Sequence, residues 1–327
     1  MYINWIHQYL PGLFGILAFI VNPIFVYLIF TEKIANFGNY RFILLIFAIF
    51  NLFYSTTMFL VPVHVYNYRY SFSIFTSGGF FQKSSDLNLI VLCARCSLVS
   101  GSYAILLSHF FYRYLVIKIS CFINKKFHLY LLATLFVFLI YIAVWFSVGL
   151  CVTYEGRNEY IRENFRMTFG VDPEDFNIVT AIYNEAPRRP VILSFCGIFF
   201  LTFLSMITCT MFATLGYLTM RKINNMAKIM SQKTARIQRE LLKALTVQTV
   251  IPLCVSFSPC LLGWYSPMFN IDLGKVINLI EVVTLSAFPF LDPIAIVLCV
   301  PVFRKRLFPS KKVVEIQSTA LNTTIHS

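Results

Sequence analysis

Seven apolar runs, each long enough to cross a bilayer, constrain this chain more than any other feature. A helix rising about 1.5 Å per residue needs about 20 residues to span a ~30 Å hydrocarbon core. Runs of that length lie at about 10–30, 41–63, 88–112, 129–151, 191–219, 242–264 and 277–300. The expected fold is an all-α membrane protein, a seven-transmembrane helix bundle over 1–300 with a cytoplasmic tail over 301–327. Composition agrees, since 58% of residues are hydrophobic and only 13% charged, against about 25% charged in an average soluble domain. The first run is read as a retained helix, because no basic segment precedes it and no small-residue cleavage site stands out.

The connecting segments fix an expected orientation. Segments 31–41, 113–128, 220–243 and 301–327 hold 18 Lys and Arg, whereas the tail before residue 10 and segments 64–87, 152–190 and 265–276 hold 8. Acidic residues widen the contrast, leaving the first side near +15 and the second near −1. The positive-inside rule then places the C-terminus in the cytoplasm and, with seven spans, the N-terminus outside. The net charge of +13 is thus mainly an orientation marker, with membrane lipid as a secondary partner and no nucleic acid. The outer segment 152–190 alternates Glu155, Arg157, Glu159, Arg162 and Glu163, and is expected to form a short helix or a cap over the bundle.

Ionisable groups at membrane depth need a partner or a purpose, because a central Arg or Asp costs about 3 kcal/mol to insert. Three stand inside the runs: Arg95, Glu281 and Asp292. Arg95 precedes Arg113 by 18 residues and Glu281 precedes Pro301 by 20, so both lie ~27–30 Å above the inner helix ends. At that shared depth they either pair between the third and seventh spans, closing an outward-facing cavity, or snorkel separately to the head groups. Ser102, Ser194 and Trp264 join them as candidate ligand-pocket residues. Asp292-Pro293 is read as a hinge near the inner end of the seventh span, and Gln248, Pro252 and Pro259 as a switch in the sixth, because Pro frees a carbonyl and kinks a helix.

Other chemistry is not supported. Most of the nine cysteines lie inside apolar runs, where Cys serves as a small hydrophobe, and no metal-binding spacing joins them or the histidines. No H-E-x-x-H, G-x-S-x-G or Walker loop occurs, so an enzyme is not expected and no cofactor is implied. The triplet Asn322-Thr323-Thr324 has the form of a glycosylation acceptor, but the expected topology puts it inside the cell.

The inner end of the third run reads His109-Phe110-Phe111-Tyr112-Arg113-Tyr114. It resembles the Asp-Arg-Tyr signature of rhodopsin-like receptors with Tyr112 in the acid's place, and more closely the YRY motif of the nematode Str serpentine chemoreceptors. Further stretches match that family in order. They are Asn22-Pro23, Gly38-Asn39-Tyr40-Arg41, the Ala244–Pro252 stretch ALTVQTVIP, and Asp292-Pro293 with Phe303-Arg304-Lys305. The resemblance implies a G-protein-coupled odorant-type receptor in the plasma membrane of a sensory cilium, binding a small molecule outside and a heterotrimeric G protein inside. It implies coupling through Tyr112, Arg113 and Tyr114, with the basic residues Arg221, Lys222, Arg239 and Lys243 beside them. With no acid at 112, the restraint on Arg113 must come from elsewhere. The usual bridge from the third span to the outer loop is in doubt, since 152–190 holds no Cys and only Cys151 lies near. A ligand-gated channel or transporter, and a non-signalling trafficking partner, are the competing classes.

Overall fold

The computed structural model describes residues 5–31, 38–226 and 232–307. Among the described residues, six helices are long and apolar enough to span a membrane. They are α1 (Trp5–Thr31), α2 (Tyr40–Leu60), α3 (Asp86–Lys125), α4 (Phe127–Val152), α6 (Arg188–Met226) and α9 (Gly274–Cys299). The remaining apolar run, expected at 242–264, is broken. It comprises α7 (Gln232–Ile251), a π turn at Pro252–Phe257 and α8 (Ser258–Tyr265). Pro252 cannot donate to the helical ladder, and a π turn is one way a helix absorbs that missing bond. A short α10 (Pro301–Leu307) follows α9. The tail expected beyond it, with Asn322, His326 and residues 308–327 generally, lies outside the described residues.

Helix lengths depart from the expected runs at their ends. α2 stops at Leu60 rather than 63 because Pro62 disfavours helix for the residue before it. α3 and α6 run well past the apolar stretch, to Lys125 and Met226, with α3 kinked at Ile119. The bundle packs α1 against α2 and α9, and α3 against α4 and α6.

One end of the bundle carries a structure the apolar runs do not announce. Strands β1 (Val63–Tyr68), β2 (Ser71–Thr76) and β3 (Ile178–Ile182) form an antiparallel sheet in the order β1-β2-β3. A two-residue turn, Arg69–Tyr70, joins β1 to β2, with Arg69 at a φ of 48°. Glu185, at a φ of 59°, accepts from the Arg69 guanidinium at 2.7 Å, so two left-handed residues hold each other in place. Burial raises the Tyr160 hydroxyl to about 12, so it remains a donor to Glu185 at 3.0 Å.

Side chains alternate across a strand, and here both faces are covered. Val63, Val65, Phe72, Ile74, Val179 and Ala181 face the helix bundle. Tyr66, Phe75 and Ile178 instead pack with Ile161, Phe165 and Phe176 under the amphipathic helix α5 (Arg157–Phe169). α5 ends at Gly170, left-handed at a φ of 72°, whose N–H reaches the Arg166 carbonyl at 2.8 Å. This is the positive-φ cap that glycine suits. Segment 152–190 therefore forms both things expected of it, a short helix and a cap.

Candidate functional site

Beneath the sheet lies a cavity of about 120 Å³ whose walls come from α2, α3, α4, α6, α8, α9 and the sheet's inner face. Its lining is mostly apolar and aromatic. Trp264 on α8 sits 5.8 Å from Trp145 on α4, 6.4 Å from Phe72 of the lid and 6.3 Å from Phe257 of the π turn, centroid to centroid.

Two opposite charges stand in that wall. Arg95 is 5% exposed and its guanidinium lies 4.1 Å over the Tyr54 ring. Glu281 is 1% exposed and rests against Gly263, where an added Cβ would come within 2.5 Å of the carboxylate. Glycine at 263 is thus what lets the acid lie flat along α8. Of the two readings left open, the direct pair is not formed, since no nitrogen of Arg95 comes within 4.0 Å of a Glu281 oxygen. Arg95 Nε and Glu281 Oε2 are both buried without a hydrogen-bond partner.

Of the other pocket candidates, Trp264 lines the cavity and two do not. Ser102 turns its hydroxyl back to the Val99 carbonyl at 2.7 Å. Ser194 Oγ accepts from the Ile182 backbone N–H at 3.0 Å, which ties the last lid strand to α6. Both hydroxyls engage backbone, and neither residue lines the cavity. Sequence reading missed Tyr54, Cys93, Cys96, Tyr103, Trp145 and Cys260, all of them lining. Nothing in their local pattern separates a cavity wall from ordinary helix packing.

At the opposite end of the bundle Arg113 is 3% exposed. Its Nη1 donates to Gln238 Oε1 of α7 at 3.0 Å, and its guanidinium lies 3.5 Å over the ring of Tyr40 on α2. Tyr40 also shares a 3.0 Å hydrogen bond with His109 Nδ1. Gln238 and Tyr40 are thus the groups that Arg113 meets where no acid stands at 112. Tyr112 itself is buried, stacked 5.7 Å from Tyr40 and edge-on to Phe127, so it braces Arg113's aromatic platform and faces no partner. Tyr114 is half-buried beside Lys118.

The basic residues expected near Arg113 sit elsewhere. Arg221 and Lys222 are exposed at the end of α6. Arg239 and Lys243 share an exposed α7 face with Thr246, lining a groove against Gly216 and Met220 of α6. They are one turn apart, while Gln238 is rotated about 100° from Arg239 on the helix. That rotation puts Gln238 inside and the two cations outside.

Between the two ends runs a buried polar line. Asn22 Nδ2 donates to the Ala18 and Pro289 carbonyls at 2.9 and 3.0 Å, and Asn51 Nδ2 donates to Asn22 Oδ1 at 3.3 Å. Asp292 is fully buried beside Pro293 in α9, with neither carboxylate oxygen hydrogen-bonded. Gln248 is 1% exposed with its Nε2 unpartnered, and Pro259 is buried in the first turn of α8. Eight cysteines among the described residues are free, Cys93, Cys96 and Cys151 included, so none of these three is bridged to the cap.

A bundle with a lidded cavity at one end and a held arginine at the other matches one family over nearly its whole length. Residues 1–307 match the serpentine type 7TM GPCR chemoreceptor family Srj. The chain belongs to that family. It is 43% identical over 306 residues to serpentine receptor class J-38 of Caenorhabditis elegans, covering 93% of both chains. Serpentine receptor class r-10 of the same species is 25% identical over 307 residues, covering 89% of this chain and 87% of the relative. The G-protein coupled receptor str-33 is 24% identical over 308, covering 88% and 85%. The Str assignment drawn from the YRY motif is therefore corrected to Srj. The Str relative lies at much lower identity. Srj proteins are multi-pass membrane receptors and not enzymes.

Proposed function

We propose that this Srj chain is a chemosensory receptor that takes a small molecule into the lidded cavity and activates a heterotrimeric G protein at the Arg113 end. The observation that carries the reading is the division of the broken sixth span. Its α8 segment and π turn supply Trp264, Cys260 and Phe257 to the cavity wall, while its α7 segment supplies Gln238 to Arg113. Occupancy above and the lock below thus act on one element with a flexible joint between them. A ligand that favours a second packing of α8 shifts the population in which α7 has left Arg113. The Asn22–Asn51 line and Asp292 supply polar surface that a second packing of α9 can use.

The lysine and arginine distribution supports an orientation with the lid outside the cell and Arg113 inside, and the family resemblance supports the plasma membrane of a sensory cilium. A C-terminal tag is expected to be stained only after permeabilisation of intact cells, and staining without it would reverse the orientation. Gln238→Ala is the direct test of the lock. A hydrogen bond to a charged group contributes about 1.5–3 kcal/mol, so ligand-free signalling should rise about ten- to hundredfold as the locked state loses it. A basal G-protein signal unchanged from the parent at equal surface level would remove Gln238 from the mechanism.

A further inference from the structure

The proposed ligand site holds two buried ionisable side chains to which the protein gives no counter-charge, and this restricts what can complete it. Arg95 and Glu281 line the same cavity of about 120 Å³, are 5% and 1% exposed, and form no ion pair with each other or with any other group among the described residues. Arg95 Nε has no hydrogen-bond acceptor and Glu281 Oε2 no donor. The wall supplies neither with a counter-charge, although the Cys260 thiol lies within hydrogen-bond reach of Glu281. The Tyr54 ring gives Arg95 a π face at 4.1 Å, and the remaining polar lining consists of thiols and hydroxyls.

We infer that the ligand is a small ampholyte, anionic at the end that meets Arg95 and cationic at the end that meets Glu281. The inference rests on the receptor reading and adds the ligand's chemical class. A monoanion would satisfy Arg95 and sit in the same small cavity as an unneutralised carboxylate. A monocation meets the mirror problem with the guanidinium, and an apolar molecule leaves both charges desolvated and unpaired, the costly arrangement. An ampholyte supplies both counter-charges and keeps the site neutral. Bridging α3 to α9, it would also replace by its own body the pair that the two helices fail to make directly. Size narrows the class. An apolar cavity of about 150 Å³ holds benzene, so this one takes on the order of six non-hydrogen atoms. The apolar remainder, Val99, Phe257, Val282 and Leu285 among it, fits a short methylene spacer.

The test uses the full receptor purified into nanodiscs, without G protein. Trp145 and Trp264 line the cavity, so their fluorescence reports occupancy directly. The probes are 3-aminopropanoate, 4-aminobutanoate and 5-aminopentanoate, with butanoate, butan-1-amine and butan-2-one as single-function controls. One length of the ampholyte series is expected to bind at least tenfold more tightly than every control, and Arg95→Gln and Glu281→Gln are each expected to lose that preference. Thermal melting of both variants checks that they fold. If a variant does not, Tyr54→Phe with the parent chain still reads the preference across the probe series. No response to any ampholyte, or a control that binds equally well, overturns the inference. A receptor that binds the ampholyte and never activates a G protein fails the functional reading alone. One that signals to agonists regardless of these two charges fails this inference alone.

Discussion

Arg113→Ala is expected to abolish agonist-driven G-protein activation while leaving the protein folded and at the cell surface. The two halves of that expectation have separate reasons. Arg113 Nη1 holds Gln238, yet Nε and Nη2 are buried without partners. Removing the side chain therefore also removes a poorly compensated buried cation, and the cost of burying it. The lost stacking on Tyr40, at 3.5 Å, is worth about 2 kcal/mol when desolvated, so the net effect on stability is small. Signalling is different. When α7 moves away, Arg113 is uncovered between the helices where an incoming partner would insert, and Ala offers it neither charge nor hydrogen bond. Arg113→Lys keeps the charge without the planar fork that donates and stacks at once, and should recover only part of the signal. The readout is agonist-evoked G-protein activation normalised to surface receptor. A full response from Arg113→Ala would end the coupling assignment.

Phe75→Ala is expected to open the lid, destabilising the cap by about 3–5 kcal/mol, the usual range for a fully buried Phe. Phe75 is 0% exposed on the central strand, with Phe165 and Phe169 rings 5.2 and 5.3 Å away, Phe176 at 6.4 Å and His64 at 5.7 Å. The inner face of the sheet packs on the bundle through Val65, Phe72 and Ala181, whereas this cluster joins the sheet to α5, and its salt bridges, Arg162 to Asp172 and Glu174 and Arg166 to Asp172, lie at the surface and contribute little. Hydrogen exchange should accelerate across β1, β2, β3 and α5 together while α1, α2 and α9 stay protected. Exchange confined to α5 would mean that the sheet holds itself, and that the aromatic cluster is not what closes the cavity.

The spans were legible because each is a long apolar run, a signal that lipid makes nearly unambiguous. The sixth was legible as a run but not as a broken helix, although Pro252 marks where the break falls. The hairpin was readable in principle, since Val63, Val65, Phe72 and Ile74 alternate with polar or aromatic neighbours as strand residues do. Its turn, Arg69–Tyr70, lacks the Asn-Gly or Asp-Gly signature of tight hairpins, and the second apolar run was read through Pro62 into β1. Arg95 and Glu281 stood out as charges in apolar runs. Tyr54 and Trp145, which share their cavity, did not, because aromatic residues in a membrane helix are ordinary.

Alone, the sequence determined that this chain is a bundle of membrane helices, which charges lie within it and which family it resembles in outline, because burial in lipid depends on composition along one run at a time. Only the tertiary structure decided that Arg95 and Glu281 share a wall without touching, that Gln238 holds Arg113, and that Arg239 and Lys243 face away from it. Those outcomes depend on helix rotation and on packing between residues far apart in the chain, where a difference of about 100° between neighbouring positions separates a lock from an exposed surface.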